Sequence, residues 1–129
     1  MKITIIIDAN PIISSLLGGF SREILFNHHF QFVTTSFTLQ EVTKYLPYIA
    51  KKSGVSIHFL ESTLNLIPLT IINQNEYQNF IPKAKNLIKD PKDVDILALT
   101  LAFNSPLWSN DAHFEEIKEI KLLKTKDFI

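Results

Sequence analysis

Cysteine is absent from the 129-residue sequence. The chain therefore cannot form disulfides or thiolate metal sites, and a reducing cytoplasm is the simplest location for it. The N-terminus lacks the layout of a signal peptide, and no apolar run reaches the length that spans a membrane. These absences predict a cytoplasmic protein with no membrane partner.

Net charge is missing as well, because 13 lysine and arginine residues balance 13 aspartate and glutamate residues. Any nucleic-acid partner must then be held by a local basic patch and not by a global field. The four histidines lack the HExxH spacing of zinc hydrolases, and the chain contains no G-x-S-x-G. Neither a zinc hydrolase nor a serine nucleophile of that type is indicated.

An apolar, mostly β-branched run, Ile3–Ile7, ends at Asp8. Such a run is typical of a strand that is buried on both faces of a parallel sheet. Asp8 would then lie at the carboxyl end of the strand, which is the edge where open α/β sheets bind ligands. Asn10 and Pro11 follow as a helix cap and a first-turn proline, so we expect Asp8 in a strand-to-helix turn.

Strand and helix patterns alternate along the rest of the chain. Further strands are predicted at 31–35, 68–73, 106–110 and 121–125, and helices at 11–17, 22–27, 38–46, 56–66, 76–89, 90–103 and 115–120. Ser21 is expected to cap the second helix, and Pro47 to kink or end the third. The alternation predicts one α/β domain over 1–129, a three-layer α/β/α sandwich with a mainly parallel central sheet.

Four acidic residues from distant parts of the chain are predicted to meet at one edge of this sheet. Asp8 and Asp111 each follow a strand candidate, and Glu41 and Asp93 each lie in the first turn of a helix candidate. Anions packed together repel, and their pKa values would rise until some took up protons. A hard divalent cation, Mg²⁺ or Mn²⁺, removes this conflict because it prefers carboxylate oxygens and water.

Each of these acids also has a purely structural interpretation. Glu41 ends a T-x-x-E capping box, Asp111 could cap a short helix, and Asp93 suits the positive end of a helix that Asp90 caps. Capping occupies only one carboxylate oxygen, so it does not exclude metal binding. Asp8 is the hardest to explain by structure alone, because it ends a buried strand beside a helix start.

Three segments resemble the successive signature segments of the PIN domain family, namely IIIDANPIISSLLGG, SFTLQEV and DPKDVDILALTLAFNSPLWSNDAHF. The resemblance runs through nearly the whole chain, and its third segment is the most specific. Members of that family are metal-dependent ribonucleases, and many are VapC-type toxins of toxin–antitoxin pairs. The resemblance implies an endoribonuclease that uses Mg²⁺ or Mn²⁺ and cleaves RNA to leave a 5′-phosphate and a 3′-hydroxyl. It also implies a small antitoxin as partner, and often a homodimer.

The resemblance also assigns site residues, position by position. The catalytic and metal-binding acids are Asp8, Glu41, Asp93 and Asp111, and the supporting residues are Asn10 and Ser109. Some members carry a further acid where this chain has His113. Asp95 lies two residues beyond Asp93, on roughly the opposite helix face, and is expected to be solvated or locally paired.

Basic residues that could contact phosphate are concentrated at 83–92. Lys85 and Lys89 are expected to share one helical face. Together with Lys92, this face would lead towards Asp93. This stretch is the predicted phosphate track. For any single lysine, solvation of the surface is the commoner role. Further candidates are Lys44, Lys51, Lys52 and the only arginine, Arg22. The aromatic residues Phe26, Phe59, Phe103 and Trp108 are expected in the core.

Two other enzyme or signalling classes begin with a strand that ends in aspartate. A phosphatase of the haloacid dehalogenase type needs a second aspartate where this chain has Asn10, and a phosphate-binding lysine before its final acid. A receiver domain also requires paired acids at that point. The alternative left open is a non-catalytic PIN-like domain that binds RNA or a protein, in which the acids form a structural or vestigial metal site.

Overall fold

A computed structural model describes residues 1–129. The central sheet has five strands, β1 (Ile3–Ile7), β2 (Phe30–Thr35), β3 (Leu69–Ile72), β4 (Leu107–Trp108) and β5 (Leu122–Leu123). The strand order is β3-β2-β1-β4-β5, and every neighbouring pair is parallel. The predicted parallel sheet is therefore confirmed, and β5 lies at the sheet edge where the last strand was expected.

Six α-helices cover the sheet, α1 (Ala9–Leu16), α2 (Phe20–Leu25), α3 (Ser36–Ser53), α4 (Ile57–Leu66), α5 (Ile81–Leu87) and α6 (Val94–Phe103). Short 3₁₀ turns lie at Gln74–Glu76, Gln78–Phe80, Pro91–Asp93, Ala112–Phe114 and Thr125–Phe128. None of the helices combines the length and the apolar character that crossing a membrane requires.

Two hydrophobic cores lie on opposite faces of the sheet. Because side chains alternate along a strand, β1 sends Ile5 and Ile7 to one face and Ile6 to the other. Helices α1, α2, α3 and α4 pack against the Ile5 face, whereas α5 and α6 pack against the Ile6 face. The three-layer α/β/α architecture predicted from the alternation is confirmed.

Several element boundaries differ from the sequence expectations, because the caps differ. Asp8, not Asn10, caps α1, and its side chain accepts a hydrogen bond from the backbone N–H of Ala9. Gly19, not Ser21, precedes α2, with a φ of 78° that favours glycine. Thr35 caps α3 by accepting from the backbone N–H of Thr38 at 2.8 Å.

Other differences concern the extent of helices. We expected Pro47 to kink or end the third helix. Helix α3 runs across Pro47 to Ser53, so it does not end at this proline. The expected helix at 76–89 is instead two 3₁₀ turns followed by the shorter α5. No α-helix forms at 115–120. A 3₁₀ turn capped by Asp111 lies just before this segment, at Ala112–Phe114.

The aromatic residues expected in the core divide into two groups. Trp108 is fully buried on β4, as predicted. Phe26, Phe59 and Phe103 are 48%, 54% and 37% exposed, so their assignment to the core is wrong. Phe26 and Phe103 stand at helix ends and Phe59 on an outer helix face, where apolar neighbours in sequence do not imply burial.

Candidate active site

A cleft of about 260 Å³ lies where β1 and β4 end. Ile7 of β1 is in register with Trp108 of β4, and the backbone N–H of Asp8 donates to the carbonyl of Trp108 at 3.0 Å. The residues after both strands therefore reach the same edge. The four acids predicted from the sequence, Asp8, Glu41, Asp93 and Asp111, all line this cleft, together with Asn10, Tyr45, Asp90 and Lys92.

Asp8 is held by hydrogen bonds to both of its carboxylate oxygens. Oδ1 accepts from the backbone N–H of Ala9 at 2.8 Å, and Oδ2 accepts from the hydroxyl of Ser109 at 2.8 Å. Burial raises the pKa of Asp8 above its ordinary value, the two hydrogen bonds oppose this rise, and the nearby Asp111 and Glu41 add to it. Asp8 is therefore a buried, oriented carboxylate beside other acids.

Ser109 connects Asp8 with Asp111. Its hydroxyl is fully buried, donates to Asp8 and accepts from the backbone N–H of Asp111 at 3.1 Å. Asn10 acts on the same loop, because its Oδ1 accepts from the backbone N–H of Asn110 at 3.2 Å. Asn10 and Ser109 thus position the loop that carries Asp111.

Asp93 is 7% exposed and lies at the start of α6. Its Oδ2 lies 2.8 Å from Nδ1 of His113. Burial raises the pKa of Asp93 to about 6, the His113 hydrogen bond opposes the rise, and Asp111, Asp8 and Asp90 add to it. The pKa of Asp93 therefore lies close to neutral pH.

His113 was not expected from the sequence to contact these acids. Its Nδ1 also lies 3.5 Å from Oδ1 of Asp111 and 4.0 Å from Oδ2 of Asp90. The hydrogen bond with Asp93 raises the pKa of His113, and the charge of Asp111 adds to the rise. One ligand atom from each of Asp90, Asp93 and His113 lies within 4.8 Å of the others, which is close enough to share a metal ion. The only feature of the sequence that pointed to His113 was its position two residues after Asp111.

Glu41 reaches the cleft from the second turn of α3, not from the first turn as expected. The T-x-x-E capping box is wrong, because the helix cap is Thr35 and Thr38 already lies inside the helix. The structure therefore removes the helix-capping explanation for Glu41. For Asp90 and Asp111 capping is observed, since each accepts from a backbone N–H two residues later.

The donor atoms of the cleft suit a hard divalent cation. They are carboxylate oxygens from four separate segments. Asp8 and Asp93 are buried, and the pKa of each is raised by burial and, to a smaller extent, by neighbouring acids. Cations such as Mg²⁺ and Mn²⁺ prefer oxygen ligands and offset this repulsion. His113 adds a nitrogen beside Asp93, in the neighbouring cleft.

The basic residues are more scattered than the sequence suggested. Lys92 lines the acid cleft, and Lys89 lines a neighbouring cleft beside His113. Lys85 is on α5, but Lys89 lies beyond the end of this helix, so the expected shared helical face is wrong. Lys44 lies on another side of α3, next to Gln40.

Two further residues have local structural roles. Arg22 donates to the carbonyls of Ser15 and Leu16 at the end of α1, both at 3.0 Å, and is thus a structural residue. Asp95 accepts a hydrogen bond from the hydroxyl of Tyr77, which is the local pairing predicted for it. Burial together with this carboxylate raises the pKa of Tyr77.

Fold and cleft together define a class of protein, a three-layer α/β/α domain with an acidic cleft at the carboxyl edge of a parallel sheet. A family model described as a PIN domain matches residues 6–124. The chain belongs to the PIN domain family. Membership removes the haloacid dehalogenase and receiver alternatives.

Solved structures with this fold include three toxin–antitoxin complexes. VapBC from Salmonella typhimurium bound to DNA is 19% identical, with a TM-score of 0.72 over 95% of this chain and 98% of that chain. VapBC2 from Rickettsia felis, bound to a DNA fragment from its promoter, gives 19% identity and 0.68 over the same shares. A toxin–antitoxin complex from Klebsiella pneumoniae gives 19% identity and 0.65 over 93% and 96%. No curated protein sequence matches the chain.

Proposed function

We propose that this protein is an endoribonuclease that depends on Mg²⁺ or Mn²⁺, and that it is the toxin of a toxin–antitoxin pair. The observation that carries the proposal is the convergence of Asp8, Glu41, Asp93 and Asp111 from four segments into one cleft. Membership of the PIN domain family supports it, because metal-dependent ribonucleases are typical of that family.

In this proposal the four acids hold the metal, and other side chains hold the acids. A bound divalent cation would activate a water and offset the charge that builds on the scissile phosphate. Ser109 orients Asp8 and the loop of Asp111, so both carboxylates keep fixed directions. Lys92, exposed at the rim of the cleft, attracts the phosphate of the substrate.

Family membership and the toxin–antitoxin complexes with the same fold support the proposed partners. RNA is the proposed substrate, and a small antitoxin protein is the proposed binding partner. A homodimer is the proposed assembly. A cytoplasmic location agrees with these partners.

The proposal predicts that Asp8→Asn abolishes Mn²⁺-dependent RNA cleavage and leaves the fold intact. An asparagine at this position retains an oxygen that accepts from Ala9, so the α1 cap persists while the charge is lost. The measurement is cleavage of purified RNAs with and without Mn²⁺, with melting curves for each variant. Glu61→Gln, which removes an exposed charge on α4, is the matched control and stays active. A fully active Asp8→Asn variant contradicts the assignment.

The toxin part is tested separately by expression in cells. Expression of the wild-type chain arrests growth, and the arrest is relieved by Asp8→Asn or by co-expression of the adjacent small reading frame. Mn²⁺ binding without turnover of several RNAs would instead support the non-catalytic PIN-like domain.

A further inference from the structure

The outer face of α3 carries a row of exposed aromatic rings that begins at the acid cleft. Tyr45 follows Glu41 by one helical turn and lines the same cleft. Tyr48 lies on the next turn, with its ring centroid 5.6 Å from that of Tyr45 and the two planes at 86°. Tyr45 is 49% exposed and Tyr48 is 56% exposed. Two large rings therefore stand in solvent beside the cleft.

The fold does not require these rings. The buried face of α3 is formed by other side chains, Thr38, Val42, Leu46 and Ile49. Tyr45 and Tyr48 point away from that face and contact each other at its outer side. Both rings are thus accessible to a ligand that presents flat, apolar surfaces.

The cleft that Tyr45 lines is acidic, but the charges along α3 beyond the cleft favour an anionic ligand. Residues 42–53 include three lysines and no acid. The ammonium of Lys52 lies 5.7 Å from the centroid of the Tyr48 ring. Helical periodicity places Lys44 and Lys51 together along one flank of the row. A negatively charged backbone that passes along this face would be attracted by Lys52 and, from the flank, by Lys44 and Lys51.

We infer that Tyr45 and Tyr48 form a stacking platform for two unpaired bases of single-stranded RNA, next to the acid cleft. The inference rests on the proposed function and names the form of the substrate. Every base has a π-face, and stacking on an aromatic side chain tolerates any sequence. The row from Glu41 to Lys52 spans about 16 Å of helix, which places the bases beside the phosphate in the cleft.

Duplex RNA cannot use this platform, because its bases are already stacked on one another. The platform therefore selects single strands, loops or bulges, which are the regions where unstacked bases are available. The net charge of the chain is zero, so no global field attracts RNA. Stacking on the two rings would supply part of the binding that phosphate contacts otherwise supply.

The test measures binding in the Asp8→Asn background, where the RNA stays intact. The probe is a short fluorescein-labelled single-stranded RNA, compared with the same strand annealed to its complement. Tyr45→Ala and Tyr48→Ala should each weaken single-strand binding about 5- to 150-fold, the equivalent of about 1–3 kcal/mol per stacked base. Duplex binding should not change. A 2-aminopurine in the probe should lose its stacking-dependent quenching in both variants.

Three variants serve as controls. Tyr45→Phe and Tyr48→Phe keep the ring and should retain near wild-type affinity. Phe26→Ala removes an equally exposed ring at the opposite edge of the sheet, beside Lys2 and Pro68, and should have no effect on binding. Because all the substituted rings are exposed, melting curves should show stable proteins throughout.

The inference is overturned if the alanine and phenylalanine variants bind single-stranded RNA equally well. Loss of binding to a partner protein, with unchanged affinity for RNA, would also overturn it. Failure of the nuclease proposal gives a different pattern, namely ring-dependent RNA binding with no cleavage by the wild-type chain. Cleavage with ring-independent binding would leave the nuclease proposal intact and reject the platform.

Discussion

At the scale of single residues, Ser109 organises the cleft although it carries no charge. Its buried hydroxyl joins the carboxylate of Asp8 to the backbone of Asp111. A hydrogen bond to a charged group contributes more than a neutral one, and loss of the donor leaves a buried carboxylate oxygen of Asp8 without a partner. The geometry of two acids therefore depends on one hydroxyl.

We predict that Ser109→Ala lowers the free energy of unfolding by about 1–3 kcal/mol, because it removes a donor from a buried carboxylate. The variant should also bind Mn²⁺ more weakly, since Asp8 and the loop of Asp111 lose their common anchor. Urea denaturation and Mn²⁺ titration measure the two effects. Ser105→Ala is the control, because the hydroxyl of Ser105 makes only an exposed contact with the carbonyl of Phe103. Equal stability of the two variants would contradict the prediction.

The sequence predicted the acids better than it predicted their partners. Asp8 and Asp111 were found because each follows an apolar strand, a signal that is local in the chain. The pairing of His113 with Asp93 joins residues twenty positions apart and depends on the path of the turn after Asp111. No periodicity encodes such a path, so the contact could not be predicted.

At the scale of elements, α3 is notable because it contains Pro47 without ending there. Proline has no backbone N–H, so the carbonyl of residue 43 lacks its helical donor. The helix persists because its buried face continues on both sides of the proline, with Leu46 before it and Ile49 after it. Packing thus outweighs a local preference that would end an isolated helix.

We predict that Pro47→Ala raises the free energy of unfolding by about 1–3 kcal/mol, since alanine restores the helical hydrogen bond at an exposed position. Pro82→Ala is the matched control, because Pro82 lies in the first turn of α5, where the ring is tolerated, and its replacement should give no gain. Urea denaturation of both variants provides the comparison. A loss of stability in Pro47→Ala would show that the proline sets the packing of α3.

Element ends were the least predictable part of the fold. The T-x-x-E pattern at Thr38 suggested a capping box, yet the adjacent Thr35 ends β2 and caps the helix instead. Two threonines three residues apart offer the same local chemistry, and only the position at which β2 ends decides between them. The apolar strands and the helices carry a longer signal, and their types were predicted correctly apart from the 115–120 segment and the start of the 76–89 segment, where 3₁₀ turns form.

At the scale of the whole molecule, strand order brings the site together. β1 lies between β2 and β4, so the segments after these strands meet although they are far apart in the chain. Parallel pairing places their carboxyl ends on one edge, which is why the strand pattern predicted that Asp8 and Asp111 would lie close together. The same convergence brings acids close together, and their mutual repulsion lowers the stability of the folded protein.

Burial of these acids, with a smaller contribution from the repulsion between them, makes the stability of the metal-free protein depend on pH. The pKa of Asp93 is raised to about 6 in the folded state, and those of Asp8 and His113 are raised as well. The folded protein therefore binds more protons than the unfolded chain, so the free energy of unfolding falls as pH rises. For Asp93 this loss falls between about pH 4, near its ordinary pKa, and about pH 7, just above its raised pKa.

We predict that the unfolding midpoint of the metal-free protein falls between pH 5 and pH 7.5, and that Mn²⁺ reverses the fall. A ligand that binds only the folded state at a hundred times its dissociation constant adds about 2.7 kcal/mol. The gain should be larger at pH 7.5 than at pH 5, because protons compete with the cation for the same carboxylates. Asp93→Asn should flatten the pH dependence and remove most of the Mn²⁺ effect, whereas Glu61→Gln, outside the cleft, should retain both. If Mn²⁺ stabilises Asp93→Asn as much as the wild-type chain, Asp93 does not hold the cation.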